Sequence, residues 1–421
     1  MSERTLKVVL CLLPWALAGV ILFLLTAWGD PVGMYRDAKT YQRSIVATHA
    51  GRDPYAEELA LQQSAQKNGN MELTFIYGYP PVTLPFLHLL GNLPFGVYAG
   101  LYWLAYILGA LAQLWAVFFL LSSTEQRLAR YLLPFAMIFP ILIYSKESLF
   151  GGNVEYILYG AILSAAAVGC RKKQWAWFYV AVFLSACAKP QMLTLLAIPV
   201  LAAAGQWGAT VLTAVGSVSL VGAQRWIWPA EYTSWLHTVN MQFVLYNRDF
   251  GVGPLGIFGS ALWKQGLSYQ VPCLLFYLCF SGVILAVLFT IARFYRAGKI
   301  TLADWFPVLL IGVILLDPRL LGNDLYCLTV PVAVVIVRFV QQWTASWKLI
   351  IFYCLAIMLV LNLLGVVLDP LPEILAPNGN YYTVAIVTIL LCFALGCWSL
   401  FRQAGKASAT LPAASLQGAS E

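Results

Sequence analysis

Ionisable side chains are scarce in this 421-residue chain, which is 61% hydrophobic and 10% charged. Each one set among apolar residues therefore demands a reason. Lys189 stands beside Pro190 between two apolar segments, where an ammonium is costly and a functional role is the first hypothesis. A lysine there can hold a phosphate as a point charge, or it can snorkel to the interface from a helix end. Asp37 heads the stretch Ala38 to His49, whose apolar Ala38, Tyr41, Ile45 and Val46 recur at helical spacing. Its carboxylate can cap a helix starting at Ala38 or accept a proton as a general base. Arg319 shares a short turn with Asp317, Asn323 and Asp324, and can pair either with an incoming anion or with its own two aspartates.

The elements that must position these residues are apolar helices. A membrane-crossing helix needs about 20 mostly apolar residues, and such stretches recur near 7–27, 95–122, 130–146, 152–170, 174–189, 190–205, 208–226, 273–297, 302–318, 323–341, 347–368 and 381–401. The expected fold class is all-α: a polytopic integral membrane protein of about twelve passes. Residues 78–93 are apolar but hold Pro80, Pro81 and Pro85, and read as a short or re-entrant element. The chain reads as a single membrane domain over 1–421 with a polar, flexible tail at 402–421. No small-residue cleavage site closes the first apolar segment, which reads as a retained span.

Arg127, Arg130, Arg171, Lys172, Lys173, Arg293, Arg296, Lys299, Arg338, Lys348, Arg402 and Lys406 fall on one side of this arrangement. By the positive-inside rule that side is cytoplasmic, with both termini there. The net charge of +7 then reflects inside-facing anchors, and no nucleic-acid partner is expected. Nine cysteines in or beside apolar segments form no disulfide framework.

The two long loops, 28–77 and 227–272, fall on the opposite side, where the remaining polar residues gather. That placement favours chemistry at the outer leaflet over a midplane transport site. In the first loop, Gly51 is a helix stop, and Asp53-Pro54 reads as cap and first residue of a second helix with Glu57 and Glu58 in its first turn. Two amphipathic helices lying on the membrane surface are expected, ending in Tyr77-Gly78-Tyr79-Pro80-Pro81.

An ordered series of local features runs from 35 to 326: Tyr35-Arg36-Asp37, Gly51-Arg52-Asp53-Pro54-Tyr55, Tyr79-Pro80-Pro81 before Pro85 and Leu93-Pro94, Gly152-Asn153-Val154-Glu155, Ala188-Lys189-Pro190 and Asp317-Pro318-Arg319. In order and spacing it resembles the C-type glycosyltransferases that use polyprenyl-phosphate sugars, and glycosyltransferase family 87 in particular. Asn153 and Glu155 stand where that family commonly has Gln and Asn, and Asp317 where it has Ser. The resemblance implies an inverting transfer of a sugar, mannose by family default, from a polyprenyl phosphate to a glycolipid or cell-envelope glycan. The site would face the periplasm from a bacterial inner membrane.

On that resemblance Asp37 is the catalytic base. Lys189, Arg319 and Arg248 are donor-phosphate candidates, and His237, Glu155, Asn153 and Tyr79 are sugar or acceptor candidates. Glu155 can equally make an interhelical hydrogen bond, and His237 can simply be solvated. The partners expected are membrane lipid, the lipid-linked donor and the glycan acceptor. No cofactor is required, and a divalent ion between Asp37 and a donor phosphate stays open. The chain lacks metal-ligand spacing of His or Cys, a phosphate-cradling glycine loop and a Gly-x-Ser-x-Gly elbow. A carrier or flippase for a lipid-linked sugar, and a non-catalytic assembly subunit, are the competing readings.

Overall fold

The computed structural model describes residues 36–67, 77–128, 151–203, 205–245, 251–268, 270–368 and 383–409. The spans expected near 7–27 and 130–146, together with Tyr35 and Arg248, lie outside the described residues. Every regular element among those described is helical. Two helices come first, α1 (Arg36–His49) and α2 (Pro54–Lys67), then a 3-10 turn (Pro81–Thr83) running into α3 (Leu84–Gly91). The long α4 (Phe95–Leu120) is followed by α5 (Glu155–Lys172), α6 (Ala176–Ala188), a 3-10 segment (Pro190–Leu196) with α7 (Ala197–Ala203), and α8 (Trp207–Ile227). Then come α9 (Pro229–Leu245), α10 (Pro254–Lys264), α11 (Gln270–Arg296), α12 (Leu302–Leu315), a 3-10 segment (Gly322–Leu328) leading into α13 (Thr329–Gln341), α14 (Trp347–Leu368) and α15 (Thr383–Ala409).

Four of these helical stretches are long and apolar enough to cross a membrane: Phe95–Leu120, Gln270–Arg296, Gly322–Gln341 and Val384–Ala407. Shorter apolar helices, among them Ala176–Ala188, Pro190–Ala202 and Leu302–Leu315, accompany them. This is a helical membrane protein by composition and architecture. On α4, Leu101, Leu104, Leu108 and Leu111 stay exposed, as a lipid-facing stripe would. By contrast, α12 is buried from Trp305 to Leu315 and α13 from Thr329 to Val337. Helices apolar all round belong in the centre of such a bundle.

Contacts sort into two ends. At one, Arg338 donates to Glu125 Oε1 at 2.7 Å and to the carbonyls of Ala303 and Asp304, while Thr301 and Asp304 cap α12 reciprocally. Arg171 reaches the Phe119 carbonyl and Arg296 that of Val200. These residues all fall on the side expected to be basic. At the opposite end α1 packs on α3, Val82 N–H donates to Gln224 Oε1 at 2.8 Å, and Trp235 Nε1 donates to the Gly78 carbonyl at 2.9 Å.

One expectation needs correction. Residues 402–409, expected to begin a flexible tail, continue α15, with Ala404 buried against the core; helix-forming residues and that contact outweigh the local polarity. The second long loop holds two helices, α9 and α10, each opening on a proline (Pro229 and Pro254) at the position where its missing N–H costs nothing. In the first loop, Asp53 Oδ1 accepts the Tyr55 N–H at 2.9 Å, and Gly51 takes φ +70° after α1.

The tightest helix pair is α4 with α5. Gly109 and Gly160 face each other so closely that a Cβ on Gly109 would lie 2.5 Å from the Tyr156 carbonyl oxygen, and one on Gly160 would lie 2.5 Å from the Gly109 oxygen. Small residues let helix backbones approach where water supplies no driving force. Gly109→Leu is expected to destabilise the protein by about 3 kcal/mol or more, read as a lowered melting temperature in detergent. Gly100→Leu, into open space, is the control and should melt like the wild type.

Candidate functional site

The site forms where α1 meets the Gly151–Val154 turn that leads into α5. Helix α1 starts at Arg36, so Asp37 lies inside its first turn and does not cap a helix beginning at Ala38. The first-turn donors are met from outside: the N–H groups of Asp37 and Ala38 both donate to the Gly151 carbonyl, at 2.9 and 3.3 Å. A distant backbone carbonyl thus meets these two donors. Asp37 Oδ2 accepts from Asn153 Nδ2 at 3.0 Å, and Asn153 Oδ1 accepts the Glu155 N–H at 3.0 Å. One amide thus orients Asp37 and starts α5.

The turn is held from both sides. Tyr102 donates to the Gly152 carbonyl at 2.5 Å, and the Val154 N–H donates to the Tyr41 hydroxyl at 3.3 Å. Gly152 takes φ +73°, and a Cβ there would sit 3.0 Å from both Ala38 Cβ and the Trp103 ring, so only glycine fits without displacing α1. The Tyr41 hydroxyl also shares a 2.6 Å hydrogen bond with Tyr79, and Tyr55 donates to the Tyr79 carbonyl at 2.7 Å. Burial, then the neighbouring Tyr79 and Tyr102, raises the Tyr41 hydroxyl well above the usual phenol range; the pair stays neutral. On the outer side of α1, Arg43 grips Glu58 of α2 at 2.8 and 3.0 Å. Burial raises the Glu58 carboxyl, and Arg43 opposes the shift.

Lys189 sits where α6 ends and Pro190 starts the 3-10 segment. It is buried: its Nζ bonds Glu155 Oε1 and stands 5.5 Å from the Tyr79 ring centroid. Asp324, Asp37, Arg319 and Asp317 lie within electrostatic range of it. Asp317 Oδ1 accepts the Arg319 N–H at 2.9 Å, and Asp324 Oδ2 accepts the Leu321 N–H at 2.7 Å. Glu155 Oε2, Asp317 Oδ2 and Asp324 Oδ1 are buried without a hydrogen-bond partner among the described residues. Among the same residues, no three His, Cys, Asp or Glu side chains are grouped to hold a metal.

Of the candidates, Asp37, Asn153, Glu155, Lys189, Tyr79 and Arg319 come together. His237 does not: it is exposed on α9, and no described hydrogen bond or ion pair joins it to this group. Arg248 lies outside the described residues. Residue-by-residue reading missed Tyr41, Tyr102 and the buried Asp324 as site members. Tyr41 passed as part of an apolar face, whereas Asp324 carried a usable signal, a carboxylate heading an otherwise apolar span. No protein-family model, curated protein or solved structure matches this chain.

Asn153→Leu keeps the bulk but removes both the donor to Asp37 and the acceptor for Glu155 N–H. The expected cost is about 1–3 kcal/mol, measured as a fall in melting temperature. Tyr98→Phe, in the same region but outside this network, should stay close to wild type.

Proposed function

We propose that the chain is a C-type glycosyltransferase that moves a sugar from a polyprenyl phosphate to a lipid or envelope-glycan hydroxyl, with Asp37 as the base. The observation that carries the reading is the Asp37–Asn153 contact. It presents a half-buried carboxylate, held by an amide, at the end of the bundle where Lys189 and Arg319 also converge. In this reading the chain crosses the membrane about twelve times, the Asp37 end faces the periplasm of a bacterial inner membrane, and α1 and α2 lie at the outer leaflet.

The acceptor oxygen attacks the anomeric carbon from the face opposite the phosphate, and its proton passes to Asp37. The bond from that carbon to the phosphate oxygen breaks with its electron pair staying on oxygen. Charge therefore grows on the phosphate, where preorganised cations stabilise it. Lys189 and Arg319 supply that field, and the polyprenyl tail lies along the apolar helices. Asn153 orients the base, while Tyr41 and Tyr79 wall the site beside it.

The test is transfer by purified protein in lipid vesicles, with polyprenyl-phosphate mannose as donor and a crude membrane-lipid acceptor. Wild type should transfer, and a folded Asp37→Asn protein should lose at least about 100-fold in rate, the scale of a general base. Equal turnover by the two would remove Asp37 from the chemistry. Orientation is checked by labelling single cysteines placed at Ala60 and Lys173, in a background lacking native cysteines, in intact cells. Ala60→Cys should react from outside and Lys173→Cys only after permeabilisation; external labelling at position 173 would reverse the topology.

A further inference from the structure

The surroundings of Lys189 and Arg319 are unusual for a place that binds phosphate. Three buried carboxylates, Glu155, Asp317 and Asp324, stand around two cations. Two of the three are engaged by their own loop, Asp317 by the Arg319 N–H and Asp324 by the Leu321 N–H. Glu155 differs, because its Oε1 takes the Lys189 ammonium directly. An anion arriving at Lys189 must therefore compete with a carboxylate already in place.

That competition matters most for the product. The donor is a phosphodiester with one negative charge. When its bond to the sugar breaks, the electron pair stays on the phosphate oxygen, the sugar carbon bonds the acceptor oxygen, and the acceptor's proton goes to Asp37. The polyprenyl phosphate left behind is a monoester carrying close to two negative charges at neutral pH. In a water-poor pocket, two cations would hold such an anion far more tightly than they held the donor, and slow departure of product limits turnover in many enzymes.

We infer that Glu155 is a competing counter-ion for Lys189, weakening the grip on the polyprenyl phosphate monoester so that it can leave. This rests on the glycosyltransferase reading for its purpose, though the competition itself concerns only phosphate binding. The local start of the helix supports it: Asn153 accepts the Glu155 N–H at the head of α5, fixing the backbone from which Glu155 reaches Lys189. Removing the Glu155 charge still leaves Lys189 within range of Asp324, Asp37 and Asp317, so the ammonium is not stranded in an apolar interior.

The measurement is the affinity of purified protein in detergent for a sugar-free polyprenyl phosphate, followed by tryptophan fluorescence, with neutral polyprenol as the control ligand. Glu155→Gln is expected to bind the phosphate about tenfold more tightly and Lys189→Gln about tenfold more weakly, the scale of one charge-assisted hydrogen bond. Polyprenol binding should be the same in all three proteins. In the transfer assay, Glu155→Gln should lower KM and kcat together, as slow product release requires.

Unchanged or weaker phosphate binding by a folded Glu155→Gln protein would overturn the inference, as would equal tightening toward polyprenol. If Glu155→Gln does not fold, Glu155→Asp serves instead: its shorter carboxylate draws back from Lys189 and should tighten binding severalfold, and no tightening would again overturn it. Tightened binding in a protein with no transfer activity would remove the glycosyltransferase reading and leave the competition standing. Transfer with unchanged affinities would do the reverse.

Discussion

An ammonium taken out of water loses several kcal/mol of hydration unless opposite charge and hydrogen bonds replace it, and the arrangement around Lys189 follows from that constraint. Its partner must come from another helix, and Glu155 at the head of α5 is that partner. Glu155 can reach it because α5 begins where Asn153 accepts its N–H, and Asn153 lies where it does because Gly152 permits a left-handed turn against Ala38 and Trp103. The same turn offers the Gly151 carbonyl to the start of α1 and the Asn153 amide to Asp37. One buried charge, one glycine and one amide thus tie α1, α5 and the end of α6 into a single unit.

The close α4–α5 pair belongs to the same chain of causes. Gly109 and Gly160 bring the two backbones together, which lets Tyr102 of α4 reach the Gly152 carbonyl and Gln113 reach the Tyr156 carbonyl. Without that approach the turn would lose its anchor on the α4 side, and Asp37 would lose a fixed orientation. The opposite end of the bundle is built differently. Its network of Arg338, Glu125, Asp304 and Thr301 is satisfied by partners at ordinary distances, with caps and carbonyls completing it. Carboxylate oxygens without a partner among the described residues, on Glu155, Asp317 and Asp324, gather instead at the Asp37 end.

Much of the helical framework was legible from hydropathy and punctuation. The stretches around 95–122, 208–226, 273–297 and 347–368 became α4, α8, α11 and α14, because long apolar runs have one outcome when the backbone must satisfy itself. The Asp53 cap, the Gly51 stop and the break at Lys189-Pro190 were local signals with local causes. What stayed hidden depends on pairing between distant segments. Nothing near Tyr41 indicates that its hydroxyl will meet Val154 and Tyr79, and its spacing on α1 made it look like core. Asp37 read as a cap because caps are a property of sequence neighbours, whereas the carbonyl that meets its own N–H comes from Gly151, more than a hundred positions away. Helices α9 and α10 open on Pro229 and Pro254, prolines the sequence reading of the second long loop did not use.

The excess of acid at the Asp37 end bears on what kind of ligand this region can serve. If its task were only to hold a phosphate, evolution toward tighter binding would favour removing Glu155, Asp317 or Asp324, each a buried group with a desolvation cost of its own. A site that must take up an anion, let its charge grow and then release it meets a different demand. Cations must be close enough to stabilise the growing charge, yet not so dominant that the product stays. On the glycosyltransferase reading, carboxylates beside those cations would meet both conditions, because they lower the attraction for every anion while leaving the positive groups where the charge would develop. Lys189 is the cation so arranged, since its Nζ is bonded to Glu155 while it stands within electrostatic range of Asp37.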